Sequence, residues 1–342
     1  MTARLNWGIL ATGGIARKFA AALPASRTGR LAAVGSRTAA AAEKFAADFP
    51  GTRAHGSYDA LLADPDVTAV YIATPHPSHL EWTLRAAAAG KHILCEKPLA
   101  LNRADAERMV AAARRHRVFL MEAFMYRCHP QTARLAELVR AGAIGELRAI
   151  HANFTVPFPF DPAHRIFNKE LGGGAILDLG CYPVSFSRRM AGAALGRDFA
   201  EPLGFQGGGR LNVVTGADEF AAATLAYPGG MTALISCSSC VPREIRARLL
   251  GTAGWIDVPA PFHPGDQDKP AEIILHRAGA TAPEKIDLTV PQPLYAVEAD
   301  TVGDAIARGE LESSAMSHAD TLGNMAALDA WRAAVGMRYE GE

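Results

Sequence analysis

The chain has 342 residues, too many for one ordinary core, so two domains are expected. Apolar residues make up 49% and charged residues 20%, which lets a large core form and argues against disorder. Lys plus Arg and Asp plus Glu each number 35, a balance that argues against a partner chosen by bulk charge, such as nucleic acid or an anionic membrane surface. No stretch approaches the roughly 20 apolar residues of a membrane helix. The opening Met-Thr-Ala-Arg-Leu-Asn-Trp-Gly lacks the basic and apolar regions of a signal peptide, so the expected location is cytoplasmic.

From residue 5 to residue 121 apolar strands alternate with amphipathic helices. Leu5–Leu10 reads as a strand, and Ile15, Phe19 and Leu23 then recur at helical spacing. Leu31–Gly35 is a second strand, with Ala42, Phe45, Ala46 and Phe49 marking the next helix face. Val67–Ala73 is a third strand, followed by a helix over His79–Ala89 that Gly90 stops. Ile93–Cys95 and Val118–Met121 are short strands flanking a helix over Ala104–His116. This rhythm implies a parallel, doubly wound sheet whose ligand-binding loops share one edge.

Near residue 125 the rhythm changes. Gln131–Arg140 reads as a helix, Glu146–Phe154 as a strand and Gly174–Met190 as a helix. From Arg210 to Val258 several strands are joined by turn residues such as Pro228-Gly229-Gly230. Partial alternation (Leu211, Val213; Phe220, Ala222; Leu234, Ser236) indicates an antiparallel or mixed sheet with one covered face. Helices over Tyr295–Arg308 and His318–Val335 close the chain.

Cys95, Cys128, Cys181, Cys237 and Cys240 form an odd, scattered set that does not read as a disulfide framework. Cys237-Ser-Ser-Cys240 has CxxC spacing. However, Met231–Val241 reads as a strand, where residues three apart face opposite sides, and no second CxxC completes a zinc site. Two structural thiols are expected there.

The first strand runs into Gly8-Ile-Leu-Ala11-Thr12-Gly13-Gly14-Ile15-Ala16. Set against G-x-G-x-x-G/A, the matching positions are Ala11, Gly13 and Ala16, with alanine replacing the first glycine. Thr12, Gly13, Gly14 and Ile15 are the candidate pyrophosphate residues, because a helix opening at Gly14 leaves N–H groups for an anion. At the end of strand two, Gly35-Ser36-Arg37 has no carboxylate for a ribose hydroxyl. Ser36 and Arg37 suit a 2′-phosphate instead, which favours NADP while leaving NAD possible. Strand Ile93–Cys95 leads into Glu96-Lys97-Pro98, placing a Lys at the edge where a nicotinamide would lie.

Glu96-Lys97-Pro98, the preceding Ala89-Gly90-Lys91-His92, the loop Thr74-Pro75-His76-Pro77-Ser78-His79 and the Gly-rich turn together resemble the glucose–fructose oxidoreductase/inositol dehydrogenase (Gfo/Idh/MocA) family. The segment Met121-Glu122-Ala123-Phe124-Met125-Tyr126-Arg127-Cys128-His129-Pro130 is similar to the branch containing dimeric dihydrodiol dehydrogenase and NADP-dependent D-xylose dehydrogenase. The likeness extends to Tyr295…Glu298 and the closing helices. It implies an NADP-binding Rossmann domain over 1–124 and an α+β substrate-binding and oligomerisation domain over 125–342. The second domain would carry a large, open, mostly antiparallel sheet, and the terminal helices would be able to pack back on the first domain. It implies that Thr74, Pro75, His76, His79, Glu96, Lys97 and Arg127 contact the cofactor. His76 and His79 are three apart, but no third ligand of zinc-like spacing is near, so no metal is expected.

The resemblance also places Lys97, Asp178 and Tyr182 around the reacting carbon. Many family members carry His where this chain has Tyr182; the Tyr is the form expected in the dihydrodiol and glucose–fructose branches. Asp178 and Tyr182, four apart, share one face of a helix. An ordinary Tyr ionises at about pH 10, too high for an efficient base, and a neighbouring Lys ammonium favours the phenolate. Tyr182 is then the base in oxidation and the acid in reduction, while Asp178 orients the substrate hydroxyl or balances Lys97. Phe154, Phe158 and Phe160, with Pro157 and Pro159, either line a substrate wall or form a loop packed on the sheet. The implied activity is hydride transfer to or from a sugar, polyol or vicinal diol. Two alternatives are glycoside cleavage through transient oxidation and a non-catalytic nucleotide-binding regulator. The resemblance also implies a homodimer or homotetramer, since family members usually pair the apolar face of the open sheet.

Overall fold

The computed structural model describes residues 4–266 and 271–340. The chain divides into two compact units. The first holds the chain up to Ala100, Ala104–Cys128 and Pro291–Thr321; the second holds Leu101–Arg103, His129–Val290 and the chain from Leu322 onward.

In the first unit the elements run β1 (Leu5–Leu10), α1 (Gly14–Ala22), β2 (Gly29–Gly35), α2 (Ala39–Ala47), β3 (Arg53–His55), α3 (Tyr58–Leu62), β4 (Ala69–Ile72), α4 (His79–Ala88), β5 (His92–Glu96), α5 (Arg103–His116) and β6 (Leu120–Ala123). The six strands form one parallel sheet in the order β3-β2-β1-β4-β5-β6, the doubly wound arrangement whose direction of winding reverses beside β1. The central strands are buried on both faces, as their continuous apolar runs require. Trp7, Phe19 and Tyr71 pack in series, with ring centroids 5.2 Å and 4.0 Å apart.

The alternation misses β3 and α3. β3 is a three-residue edge strand with Arg53 and Ala54 exposed, so no apolar run announces it. The last strand begins two residues later than its pattern indicates, at Leu120. After α6 (Met125–Cys128) the chain leaves this unit, then returns as α9 (Leu294–Ala307), which packs on α1 and α6. The carboxylate of Asp300 on α9 ties the return. It accepts hydrogen bonds from the Ser26 hydroxyl at 2.7 Å and from the Arg27 and Thr28 N–H groups at 2.8 and 3.1 Å.

The second unit holds α7 (Pro130–Arg140), β7 (Leu147–Thr155), α8 (Cys181–Ala194), β8 (Gly204–Leu211), β9 (Asp218–Tyr227), β10 (Met231–Ser238), β11 (Glu244–Gly251), β12 (Gly254–Val258), β13 (Glu272–Arg277) and β14 (Glu284–Asp287). Its eight-stranded sheet has the order β14-β13-β12-β11-β7-β10-β9-β8, and every pair is antiparallel except β7 with β10. The last helix, α10, spans His318–Val335.

One face of this sheet is covered, with α8 packed on β7 and β10. The buried row is Ala247, Ala152, Ile235 and Ala223, each paired with the next across the strands. Phe220, Ala222, Leu234 and Ser236 stand together on the opposite, uncovered side, so the alternating positions do share one face, and the buried face is the intervening set. Small buried residues such as Ala221 and Ala223 carry the inner face and give little hydrophobic signal. β10 also ends at Ser238, short of Val241, so the two thiols of Cys237-Ser-Ser-Cys240 are not both on a strand. Cys237 is buried, Cys240 is exposed, and both are unbridged.

Glu122 on β6 is a buried carboxyl in this frame. It accepts the Leu99 N–H at 2.9 Å. Burial pushes its pKa up to about 7, against the opposing pull of the Thr321 hydroxyl and the Leu99 amide. A group raised in the folded state stabilises the fold fully below its ordinary pKa and loses that contribution as pH rises through the folded value. Glu122→Gln removes this loss. The melting temperature of the variant relative to the natural protein should therefore climb between pH 5 and pH 8, by the equivalent of up to roughly 3 kcal/mol. A pH-independent difference would show that Glu122 is ionised throughout.

Candidate active site

The register of the first sheet builds a single edge. Leu10 pairs with Gly35 and with Ile72, and Ile72 pairs with Cys95. The residues at and just beyond these four strand ends therefore lie side by side: Ala11–Ile15, Ser36–Arg37, Ala73–His76 and Glu96–Lys97.

At the first of these loops Ala11 takes φ of 95°, the left-handed conformation for which glycine is usual. The alanine thus makes the tight turn that the missing glycine would have made, and its N–H donates to Gly35 at 3.1 Å. Gly13 precedes α1 with extended backbone (φ −74°, ψ −178°), and no side chain caps the helix. A Cβ at Gly13 or Gly14 would meet nothing within 4 Å, so the start of the helix is not crowded on that side. Ala16 is fully buried against the sheet. This is the cradle that a pyrophosphate needs.

At the second loop Ser36 is buried and donates its N–H to His55 at 3.1 Å, while Arg37 is exposed. Thr38 caps α2 by accepting the Ala41 N–H at 3.3 Å. At the third, Thr74 is buried, and its hydroxyl has no hydrogen-bond partner among the described residues. Pro75 is exposed and His76 is buried, its ring 5.6 Å from that of His79. His79 is fully buried, with Nε2 facing the Thr74 carbonyl at 2.9 Å and Nδ1 facing the Pro98 carbonyl at 3.1 Å. Burial holds its pKa below the ordinary imidazole value. His79 bears on the site by tying two of its loops together.

At the fourth loop Lys97 is half-buried and followed by a cis peptide bond to Pro98. Glu96 accepts from the Tyr71 hydroxyl and, at 3.2 Å, from the Lys97 N–H. Behind it Glu298 is completely buried, and burial, reinforced by Glu96, raises its carboxyl well above the ordinary range. Arg127 lies deep in this unit with its guanidinium 2.5 Å from the carboxylate of Asp320. Among the described residues no cluster of His, Cys, Asp and Glu is arranged to hold a metal ion, and no helix is long and apolar enough to cross a membrane.

In the second unit Asp178 and Tyr182 lie at the start of the α8 helix. The segment Ile176–Gly180 is a π-turn, wider than the regular helix assumed from the four-residue spacing. Asp178 is buried and receives both ends of the Arg165 guanidinium, at 2.8 and 3.2 Å. Its counter-charge within this unit is therefore Arg165, a residue that the sequence pattern leaves unmarked. Arg165 lies 13 positions away in an irregular loop, and no spacing rule links the two. Asp218 on β9 is equally unannounced. It accepts the Ile176 N–H at 2.6 Å and so holds the start of the turn, and burial pushes its own carboxyl up to about 6.

The Tyr182 ring packs against Phe154, Phe262 and His263, with centroids 5.1, 5.4 and 6.0 Å away. Phe154 thus joins the core around Tyr182, whereas Phe158 packs on His164 and Phe160 is half-exposed. His129 accepts the Gln131 N–H and caps α7.

Comparison with known proteins follows the same two-part division. A model of the GFO/IDH/MocA oxidoreductase family, NAD-binding Rossmann fold, matches residues 5–124, and a model of the GFO/IDH/MocA C-terminal domain matches residues 132–257. The trans-1,2-dihydrobenzene-1,2-diol dehydrogenase of Danio rerio is 34% identical over 98% of each chain. The D-xylose 1-dehydrogenase (NADP(+)) 2 of Haloferax volcanii is 33% identical over 90% of each. A solved 3-ketoreductase from Actinomadura kijaniata, in complex with NADP and TDP-benzene, is 30% identical and matches with a TM-score of 0.86 over 98% of this chain and 99% of that one. The motifs, the two sheets and the end-to-end likeness agree: this chain belongs to the GFO/IDH/MocA oxidoreductase family.

Proposed function

We propose that this enzyme uses NADP to move a hydride to or from a hydroxyl-bearing carbon of a sugar, polyol or vicinal diol. The observation that carries the reading is the open anion site after β1: an uncapped helix N-terminus beneath two glycines whose Cβ positions are empty. Thr12, Gly13, Gly14 and Ile15 hold the pyrophosphate. Ser36 and Arg37 take the 2′-phosphate, where a carboxylate would repel it, so NADP is preferred and NAD is the weaker alternative. The unpartnered Thr74 hydroxyl, with Pro75 and His76, supplies further contacts to the dinucleotide. His79, Glu96 and Arg127 support that edge from within the unit. The substrate classes come from relatives named for a dihydrodiol and for D-xylose.

When bound, NADP supplies the hydride acceptor or donor. The chain's own residues handle the proton. Tyr182 takes it from the substrate hydroxyl at Oη during oxidation and returns it during reduction. The aromatic packing around its ring keeps water from one side. Lys97 offsets the charge of the phenolate, and Asp178 accepts a hydrogen bond that orients the substrate. The uncovered face of the eight-stranded sheet carries partly exposed Phe220, Leu234 and Trp255 and serves for packing against a second copy.

A panel of aldoses, polyols and trans-diols, followed by NADPH absorbance, tests the reading, and absence of turnover across all three classes overturns it. Gly13→Ala should leave the melting temperature unchanged, since its backbone suits any residue. It should weaken NADP binding by roughly tenfold or more, about 1.4 kcal/mol, in a fluorescence titration. Arg37→Ala should lower the NADP-to-NAD ratio of kcat/KM by roughly tenfold, the worth of one charge-assisted hydrogen bond. Tyr182→Phe should cut kcat by roughly 100-fold or more while NADP affinity stays the same; unchanged kcat removes Tyr182 from the proton transfer.

A further inference from the structure

We infer that Arg165 is a positioning residue of the second unit: it favours the ionised form of Asp178 and fixes the direction of its carboxylate. This rests on the reading of Asp178 as a substrate-orienting group and adds what that reading lacks, the source of its charge and orientation.

Three independent features meet at this pair. The first is the geometry. Nη1 of Arg165 donates to Oδ1 of Asp178 at 2.8 Å and Nη2 donates to Oδ2 at 3.2 Å, so both oxygens are held by one planar group. The second is the contrast in burial. The Asp178 side chain is 5% exposed and that of Arg165 is 50% exposed. A carboxylate so buried would tend to take up a proton without a cation beside it. The guanidinium supplies that cation and remains charged at any working pH.

The third is the way the two backbones are pressed together. Gly173 lies so close to the Arg165 loop that a Cβ there would stand 2.4 Å from the Arg165 carbonyl and 2.7 Å from that of Asn168. Tyr339 donates its hydroxyl to the carbonyls of Gly172 and Gly173 at 3.3 and 2.9 Å. The turn that leads into the π-segment is therefore clamped onto the loop that carries Arg165. The other acid at this turn, Asp218, is occupied with the Ile176 N–H. Lys169 and Glu170 stand on the same loop as Arg165, and both are outside the buried set.

The chemical consequence is a division of labour. A carboxylate held on both oxygens by Arg165 presents those oxygens in one fixed direction. It does not cycle between protonated and ionised forms, which leaves Tyr182 as the proton carrier. A Lys at position 165 would restore the charge but could not hold both oxygens, because an ammonium is a point donor.

Arg165→Met, Arg165→Lys, Asp178→Asn and the double variant Arg165→Met/Asp178→Asn test this, with D-xylose and trans-1,2-dihydrobenzene-1,2-diol as the substrates tried. Arg165→Met should raise KM, lower kcat/KM by roughly tenfold or more, and move the acid limb of kcat/KM to higher pH. Arg165→Lys should return the limb toward its natural position while KM stays high. On the Asp178→Asn background the Arg165→Met change should cost less than about twofold, because residues that act through one another are not additive. NADP affinity should be the same in all four.

A second readout needs no substrate. The melting temperature of Arg165→Met relative to the natural protein should fall as pH rises from 5 to 8, since a buried carboxylate that has lost its bidentate guanidinium is penalised more where it must ionise. That trend should vanish when Asp178 is Asn. If Arg165→Met leaves both the acid limb and this trend unchanged while Asp178→Asn impairs turnover, the inference about Arg165 is overturned and the reading of Asp178 stands. If Asp178→Asn leaves turnover intact, the underlying reading falls. A full, additive loss from Arg165→Met on the Asp178→Asn background also overturns the inference, since Arg165 would then act without Asp178.

Discussion

The first unit depends on the parallel register of four strands. β1, β2, β4 and β5 run the same way, and their last residues stand in one row. Right-handed crossovers return each strand to the same starting edge, so four loops far apart in the chain must emerge together. Everything assigned to the dinucleotide follows from that row. Ala11 is forced into a left-handed turn because the strand must reverse immediately into α1. The helix then begins with no side-chain cap, which is where the proposed pyrophosphate site lies. The buried Thr74 hydroxyl stands at the end of β4 in the same row.

Supporting this edge requires ionisable groups in places where water cannot reach. Lys91 is buried and donates to the carbonyls of Asp64 and Val67 at 2.8 and 2.7 Å, holding the turn before β4. Arg127 is paired with Asp320, while Glu122 and Glu298 are held toward their neutral forms by burial. These groups carry the cost of desolvation so that Glu96, Lys97 and Leu99 have a fixed floor beneath them. The second unit solves the corresponding problem with fewer charges. Asp218 caps the segment that carries Asp178, and Arg165 neutralises Asp178 itself. The π-turn widens the helix where Asp178 stands, and such single-turn widenings are frequent at functional sites.

Much of this was legible in the residues. The strand–helix alternation of the first unit is local, because a parallel strand is an apolar run and its crossover helix has a 3.6-residue period. The Gly-rich turn, Ser36-Arg37 and Glu96-Lys97-Pro98 are contiguous motifs, so each could be recognised without knowing what lay beside it. β3 escaped because an exposed three-residue edge strand carries no apolar signal. Which face of the large sheet is buried was not legible, because its buried row is rich in alanine, whose small side chain barely contrasts with the residues between.

Taken alone, the sequence determined the order and type of the main elements, the Gly-rich turn after β1, the absence of a carboxylate after β2, and the family through its motifs. These are properties of short segments, set by side-chain period, backbone freedom and charge. The tertiary structure alone decided that Ala11 does the work of a glycine, that His79 and Arg127 face inward to carbonyls and to Asp320, that α9 returns to the first unit, and that Arg165 is the counter-charge of Asp178. Each of these depends on groups brought together across a loop or across most of the chain. Only packing determines which of several possible partners a buried charge or a strained turn will meet.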